Sequence, residues 1–197
     1  MYQLLIDSSN KYLAVGLSQD GEVVDSIFYE AWQRQSEMMT TEIENILKRN
    51  NIVKEQLNAV VVGIGPGSYT GVRIAITIAK TIGYALKIDV YQVSSLALLK
   101  DPVKPTICIF NARSGRSYFG VYEKDAVIKE DCVEPNEKLL KYIAEHKDYV
   151  LAGDCENLGL VSVKFDIIQN LALGYKKENK VENIFKLNPK YLKDLTK

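Results

Sequence analysis

Apolar and polar positions divide this chain into short strand-like runs, two helical stripes and a handful of turns. Residues Tyr2–Asp7 are mostly apolar, Ser8-Ser9-Asn10-Lys11 is polar, and residues 12–18 alternate in part, which predicts two strands joined by a turn. Gln19-Asp20-Gly21 predicts a second tight turn, because Asp-Gly tolerates the left-handed backbone that a short hairpin needs. A third strand follows over Glu22–Glu30. Residues 33–50 then place Met39, Ile43, Ile46 and Leu47 on one helical face. A strand is expected over residues 57–64, a long helix over 68–86 and a short strand over 90–93. After the break Lys100-Asp101-Pro102-Val103-Lys104-Pro105, the pattern restarts. Strands are expected over Thr106–Asn111, 117–122 and 126–133, with turns at Ser114-Gly115-Arg116 and Lys124-Asp125. A helix over Asn136–Glu145 and a strand over 149–153 complete it.

The restart keeps register. Asp7 aligns with Asn111, Gly16 with Gly120 and Val23 with Val127, all at a spacing of 104 residues. One spacing held through three strands and two turns argues for a duplicated βββαβ unit. The expected fold is therefore α/β, with a first lobe over residues 1–100 and a trimmed second lobe over 101–197. This topology resembles the actin, hexokinase and Hsp70 superfamily. That resemblance implies a nucleotide site between the lobes and an acid at the end of the first strand that orients magnesium or water. Asp7 holds that place, whereas Asn111 is uncharged.

Gly63-Ile64-Gly65-Pro66-Gly67-Ser68-Tyr69-Thr70-Gly71 follows a strand and opens a helix. A helix start with free N–H groups suits an anion, so Asp7, Gly65, Gly67 and Ser68 form a candidate anion site. The segment is not a P-loop, because the Gly-Lys-Ser/Thr ending is missing, and no acid ends the next strand as in a dinucleotide fold. A turn that lets strand and helix approach closely is the competing reading. Within the helix, Gly71, Ala75, Ala79 and Gly83 recur every four residues, and large apolar residues (Val72, Ile74, Ile76, Ile78, Ile82, Leu86) cover most of the rest. A helix apolar nearly all round must be covered on more than one side. Either it is wholly internal, packed by the Met39/Ile43 face, or the two helices form a patch that takes a partner. The small ridge would admit a neighbouring helix at close range, and Met38-Met39 suits an interface core.

Composition narrows the chemistry. Lys plus Arg and Asp plus Glu stand at 25 each, so the whole molecule carries no polyanion-binding charge. Locally, Lys176, Lys177, Lys180, Lys186, Lys190, Lys193 and Lys197 outnumber Glu178, Glu182 and Asp194; this end is either a solvated tail or a contact for an RNA backbone. Cys108, Cys132 and Cys155 show no CxxC spacing and read as reduced thiols of a cytoplasmic protein. Neither a signal peptide nor a membrane-spanning stretch is expected. The single histidine, His146, lies in the charged helix end Glu145-His146-Lys147, so metal sites built on paired imidazoles and Ser-His-Asp or Cys-His catalysis are excluded. Asp7 stands nearly alone in its lobe, too few carboxylates for a two-metal nuclease. Asp154, after Gly153, reads as a turn residue or as one that approaches a ligand.

Gly65-Pro66-Gly67-Ser68-Tyr69-Thr70-Gly71-Val72-Arg73 and Val93-Ser94-Ser95-Leu96 resemble the signature of the TsaB (YeaZ) family. Leu5-Ile6-Asp7-Ser8-Ser9, Gln35-Ser36-Glu37, Gly153-Asp154 and Pro189-Lys190-Tyr191-Leu192 extend the likeness along the chain. The resemblance implies a non-catalytic subunit in the formation of N6-threonylcarbamoyladenosine in tRNAs that read ANN codons. TsaB proteins are similar to the catalytic subunit TsaD but lack its metal-binding histidines, which argues against proteolysis. They pair with TsaD through first-lobe helices, and the ATPase TsaE joins. The implied pairing residues are Gln35, Met38, Met39, Ile43, Thr70, Gly71, Arg73, Ile74, Ala75, Ile78, Ala79, Ile82 and Gly83. The isolated chain is expected to hold no cofactor and to form a homodimer; ATP or ADP would belong to a joint site in the complex, and tRNA would be met through the complex. Relatives carry histidine where this chain has Gln35, and its second lobe is shorter. The rival readings are an ATP-binding kinase or hydrolase of the same fold and a direct RNA-binding module.

Overall fold

A computed structural model describes residues 1–31 and 34–192. Its elements run β1 (Tyr2–Asp7), β2 (Tyr12–Gln19), β3 (Glu22–Glu30), α1 (Gln35–Arg49), β4 (Leu57–Gly63), α2 (Tyr69–Leu86), β5 (Asp89–Val93), β6 (Thr106–Asn111), β7 (Arg116–Glu123), β8 (Ala126–Pro135), α3 (Asn136–Glu145), β9 (Val150–Gly153) and α4 (Ile167–Ala172). Gln33, the expected helix start, lies outside the described residues.

Two sheets form, in the orders β3-β2-β1-β4-β5 and β8-β7-β6-β9. In each, the first three strands are antiparallel and the later ones parallel to the first. This is the duplicated, actin-like arrangement. The second sheet stops one strand short: beside β9 the described residues place only a single parallel bridge, Ala152 with Val163, where the first sheet has β5.

The repeat corrects one alignment. Ala14 pairs with Asp7, and its repeat mate Tyr118 pairs with Phe110, not with Asn111. Burial agrees: Leu5 and Ala14 face the core between the sheets, as do Cys108 and Phe110, while Ile107 and Ile109 face outward toward α3. The second hairpin turn is one residue longer on its β6 side, so the counterpart of Asp7 is the buried Phe110. Gly16 with Gly120 keeps the spacing of 104, and so does Val23 with Val127; both glycines are overlaid on the inner face. A Cβ at Gly16 would lie 2.8 Å from Ile168 of α4, and one at Gly120 would lie 2.5 Å from the Asp131 carboxylate.

Three apolar clusters hold the layers. α1 and α2 cover the outer face of the first sheet with Met39, Ile46, Val72, Ala75 and Ala79 against Leu4, Ile6, Val60 and Val62. α4 fills the space between the sheets with Ile167, Ile168 and Leu171. α3 covers the outer face of the second sheet with Leu139. The sequence reading missed α4, although Asp166 caps it by accepting from the Gln169 N–H at 3.0 Å. Residues 167–192, grouped above with the second lobe, also pack on the first sheet and α2: Val181 N–H donates to Val90 O at 2.8 Å and Lys190 N–H to Ile64 O at 2.8 Å. Among the described residues no helix is long and apolar enough to cross a membrane.

Candidate functional site

The glycine-rich turn is welded to the first β-turn by contacts only glycine permits. A Cβ at Gly67 would sit 2.1 Å from Ser9 O, one at Gly71 1.9 Å from Ser8 O, and one at Gly63 1.9 Å from the Asp7 carboxylate. Close approach, not an open cradle, is what these glycines provide. Four donors of the loop and helix start are used internally: Gly65 N–H by Ser95 Oγ (2.9 Å), Ser68 N–H by Ser9 O (2.6 Å), Gly71 N–H by the Ser68 hydroxyl (3.2 Å) and Val72 N–H by Ser68 O (2.9 Å). Ser68 is thus the cap of α2.

Asp7 is buried beneath this loop. Its carboxylate accepts from the Ser9 N–H (3.1 Å), the Ser9 hydroxyl (2.8 Å) and the Ser95 hydroxyl (2.9 Å). Burial pushes its carboxyl above the ordinary range, and those three hydrogen bonds oppose the shift. The group that the fold would use to orient a metal or water is therefore enclosed, and the loop N–H groups named above have partners. Asp154 is also structural: Asn111 N–H donates to its carboxylate at 2.9 Å, and burial raises its pKa.

The candidate pairing residues divide in two. Gly71, Ala75, Ala79 and Gly83 face inward, with Ala75 and Ala79 fully buried against the chain's own first sheet. A Cβ at Gly83 would meet Val90 at 2.5 Å and Ile184 at 2.7 Å. The small ridge expected to receive a foreign helix is occupied by β5 and the returning C-terminal segment, because side-chain-poor positions let a helix settle closely on a sheet. Met39 and Ile43 are buried in the same core, and buried Gln35 donates to Asn10 O at 3.2 Å. The remaining members form the outward strip: Thr70 and Arg73 are exposed, and Met38, Ile74, Ile78 and Ile82 are half-buried. Arg73 lies 4.2 Å over the Tyr69 ring and donates to the Tyr191 hydroxyl at 2.6 Å, and the two tyrosines stack at 5.4 Å. Phe185 and Tyr84 stand exposed at the far end of this helix.

Sequence reasoning also missed a polar junction between the lobes. The Asp131 side chain is fully buried and accepts from Ser94 Oγ (2.6 Å), Lys190 Nζ (2.8 Å) and the Tyr122 hydroxyl. Burial and the facing carboxylate push the Tyr122 phenol well up. No spacing rule marks Asp131, which lies on an edge strand amid charged residues. The Lys-rich end is partly committed, since Lys176 pairs with Asp125, Lys180 with Asp89 and Lys190 with Asp131; Lys193 and Lys197 lie outside the described residues. His146 stacks on Tyr142 at 4.1 Å.

A buried acid, a glycine loop packed tightly on the first β-turn and an apolar strip on a helix pair describe a two-lobed protein of duplicated, actin-like topology. The family model described as TsaD, tRNA N6-adenosine threonylcarbamoyltransferase, matches residues 29–194, and the chain belongs to that family. Within it, the chain is similar to TsaB proteins. It is 31% identical over 153 residues to the tRNA threonylcarbamoyladenosine biosynthesis protein TsaB of Bacillus subtilis, covering 74% of this chain and 66% of that one. It is 28% identical over 168 residues to the TsaB of Buchnera aphidicola from Schizaphis graminum, covering 77% of each. The fold matches YeaZ from Pseudomonas aeruginosa with a TM-score of 0.81 at 21% identity, covering 97% of this chain and 99% of the other.

Proposed function

We propose that this chain is a cytoplasmic, non-catalytic TsaB-type subunit that pairs with TsaD and so supports N6-threonylcarbamoyladenosine formation in tRNAs reading ANN codons. TsaE joins the pair, tRNA is met through the complex, and a lone copy pairs with a second copy of itself. The observation that carries this reading is the outward strip of α1 and α2. Met38, Ile74, Ile78 and Ile82 are apolar side chains left half-covered beside the exposed Thr70 and Arg73. Such a strip, apolar at its centre with a polar margin, suits a protein interface. The chain's single histidine supports the non-catalytic assignment, because no imidazole pair can be built from it.

The kinase or hydrolase reading gains nothing from Asp7, whose carboxylate is buried under Ser9 and Ser95. The test is a reconstituted tRNA modification reaction with TsaD and TsaE, run with and without this chain, alongside Mg-ATP turnover by the chain alone. Modification that requires the chain, with no turnover by it alone, is the expected result. Full modification in its absence, or ATP hydrolysis by the isolated chain, would overturn the reading.

A further inference from the structure

A cavity of about 270 Å³ opens between the lobes, on the side where the β7–β8 turn meets the segment leaving α4. Gln92 and Ser94 of the first lobe form one wall, and Lys124 and Asp125 of the second form the other. Lys100 and Lys176 reach into it from the two connecting segments.

Five charged side chains line it, Lys100, Lys124 and Lys176 against Asp125 and Glu178. The Lys100 side chain is only 14% exposed; its ammonium donates to Lys124 O at 2.5 Å and stands 3.9 Å from the Asp125 carboxylate. Lys176 pairs with the same carboxylate. One carboxylate therefore serves two ammonium groups, each with three donors to satisfy. Asp125 itself is 75% exposed, on a turn that extends toward solvent. Burial lowers the Lys100 pKa, with Asp125 opposing and Lys176 adding to the fall.

We propose that this inter-lobe cavity binds a small oxyanion, a phosphate- or carboxylate-bearing metabolite, gripped by Lys100 and Lys176. The Asp125 carboxylate occupies the place such a group would take and acts as an internal competitor. At about 270 Å³ the cavity has room for phosphate or a citrate-sized acid. Because its walls come from both lobes, the ligand would tie them together. This inference is independent of the pairing proposed above.

The experiment titrates the full chain with inorganic phosphate and separately with citrate, against sodium chloride at matched ionic strength, by calorimetry and thermal shift. Lys100→Met and Lys176→Met should each weaken binding about tenfold, the loss of one charge-assisted contact. Asp125→Asn should tighten it several-fold, and Lys48→Met on α1 should leave it unchanged. Response to phosphate alone or to citrate alone identifies which oxyanion the ligand bears. Absence of an anion-specific response in the unaltered chain would overturn the proposal. So would Asp125→Asn shifting affinity in the same direction as the lysine variants. Should Lys100→Met fail to fold, the opposed responses of Lys176→Met and Asp125→Asn decide alone.

Discussion

Replacing Gly71 by alanine should destabilise this protein, although alanine is the better helix former. Inside a helix the exchange alone would gain about 1 kcal/mol. At this position the added Cβ would lie 1.9 Å from Ser8 O, where ordinary contact begins near 3.4 Å, so the β1–β2 turn and α2 must separate by about 1.5 Å. Two hydrogen bonds span that gap: the Ser8 hydroxyl to Gly71 O at 2.8 Å and the Ser68 N–H to Ser9 O at 2.6 Å. Their loss costs about 1 kcal/mol each, and the forced overpacking adds about 1–3 kcal/mol. Set against the helix gain, the net loss is about 2–4 kcal/mol. For a chain of this size that lowers Tm by roughly 4–16 °C, measured by circular dichroism on heating and checked by urea titration. An unchanged or raised Tm would refute the claim that this glycine exists for close approach.

Three further outcomes follow from the same packing. Ala79→Leu, fully buried against the first sheet, should cost about 1–3 kcal/mol in urea denaturation, while Thr81→Leu on the exposed face should stay within about 0.5 kcal/mol; equal effects would mean α2 is oriented differently. Because burial holds the Asp7 carboxyl above its unfolded value, its contribution is complete below about pH 3.8 and is lost as pH rises through the raised folded value. Asp7→Asn should flatten the stability-against-pH curve in that window, and a curve identical to the unaltered protein's would contradict this. Lys190→Met leaves the buried Asp131 carboxylate with Ser94 and Tyr122 alone and should cost about 1–3 kcal/mol, read in the same denaturation assay; no loss would mean the junction is not coupled to folding.

Much of this architecture is legible from residue order. The β1–β2–β3 meander follows from apolar runs and from Asp20-Gly21, and the repeat follows from two spacings of 104 that the sheets reproduce. The turn after β6 hid a one-residue slip, because Asp7 and Asn111 look equivalent until cross-strand partners show that Phe110 shares Asp7's face. The orientation of α2 was less legible. Its isoleucines draw the eye from the polar stripe Thr70, Arg73, Thr77, Thr81 and Tyr84 that marks its outer face, and a Gly/Ala ridge serves a sheet as well as a second helix. α4 is only six residues long, too short for periodicity to mark, and the returning segment 180–192 is held by backbone hydrogen bonds, lysine pairs and three widely spaced apolar residues, Val181, Ile184 and Leu187, too few to predict an element. The enclosure of Asp7 depended on Ser95, 88 residues away.

The affinity of TsaD for the Ile78→Arg variant, measured by calorimetry beside the unaltered chain and an Ile128→Arg control on the second lobe, bears most directly on the outward strip of α2. Ile78→Arg should fold normally yet bind at least about 30-fold more weakly, the loss of one interface anchor of about 2 kcal/mol, while Ile128→Arg binds like the unaltered chain. Full affinity in a well-folded Ile78→Arg protein would contradict the account.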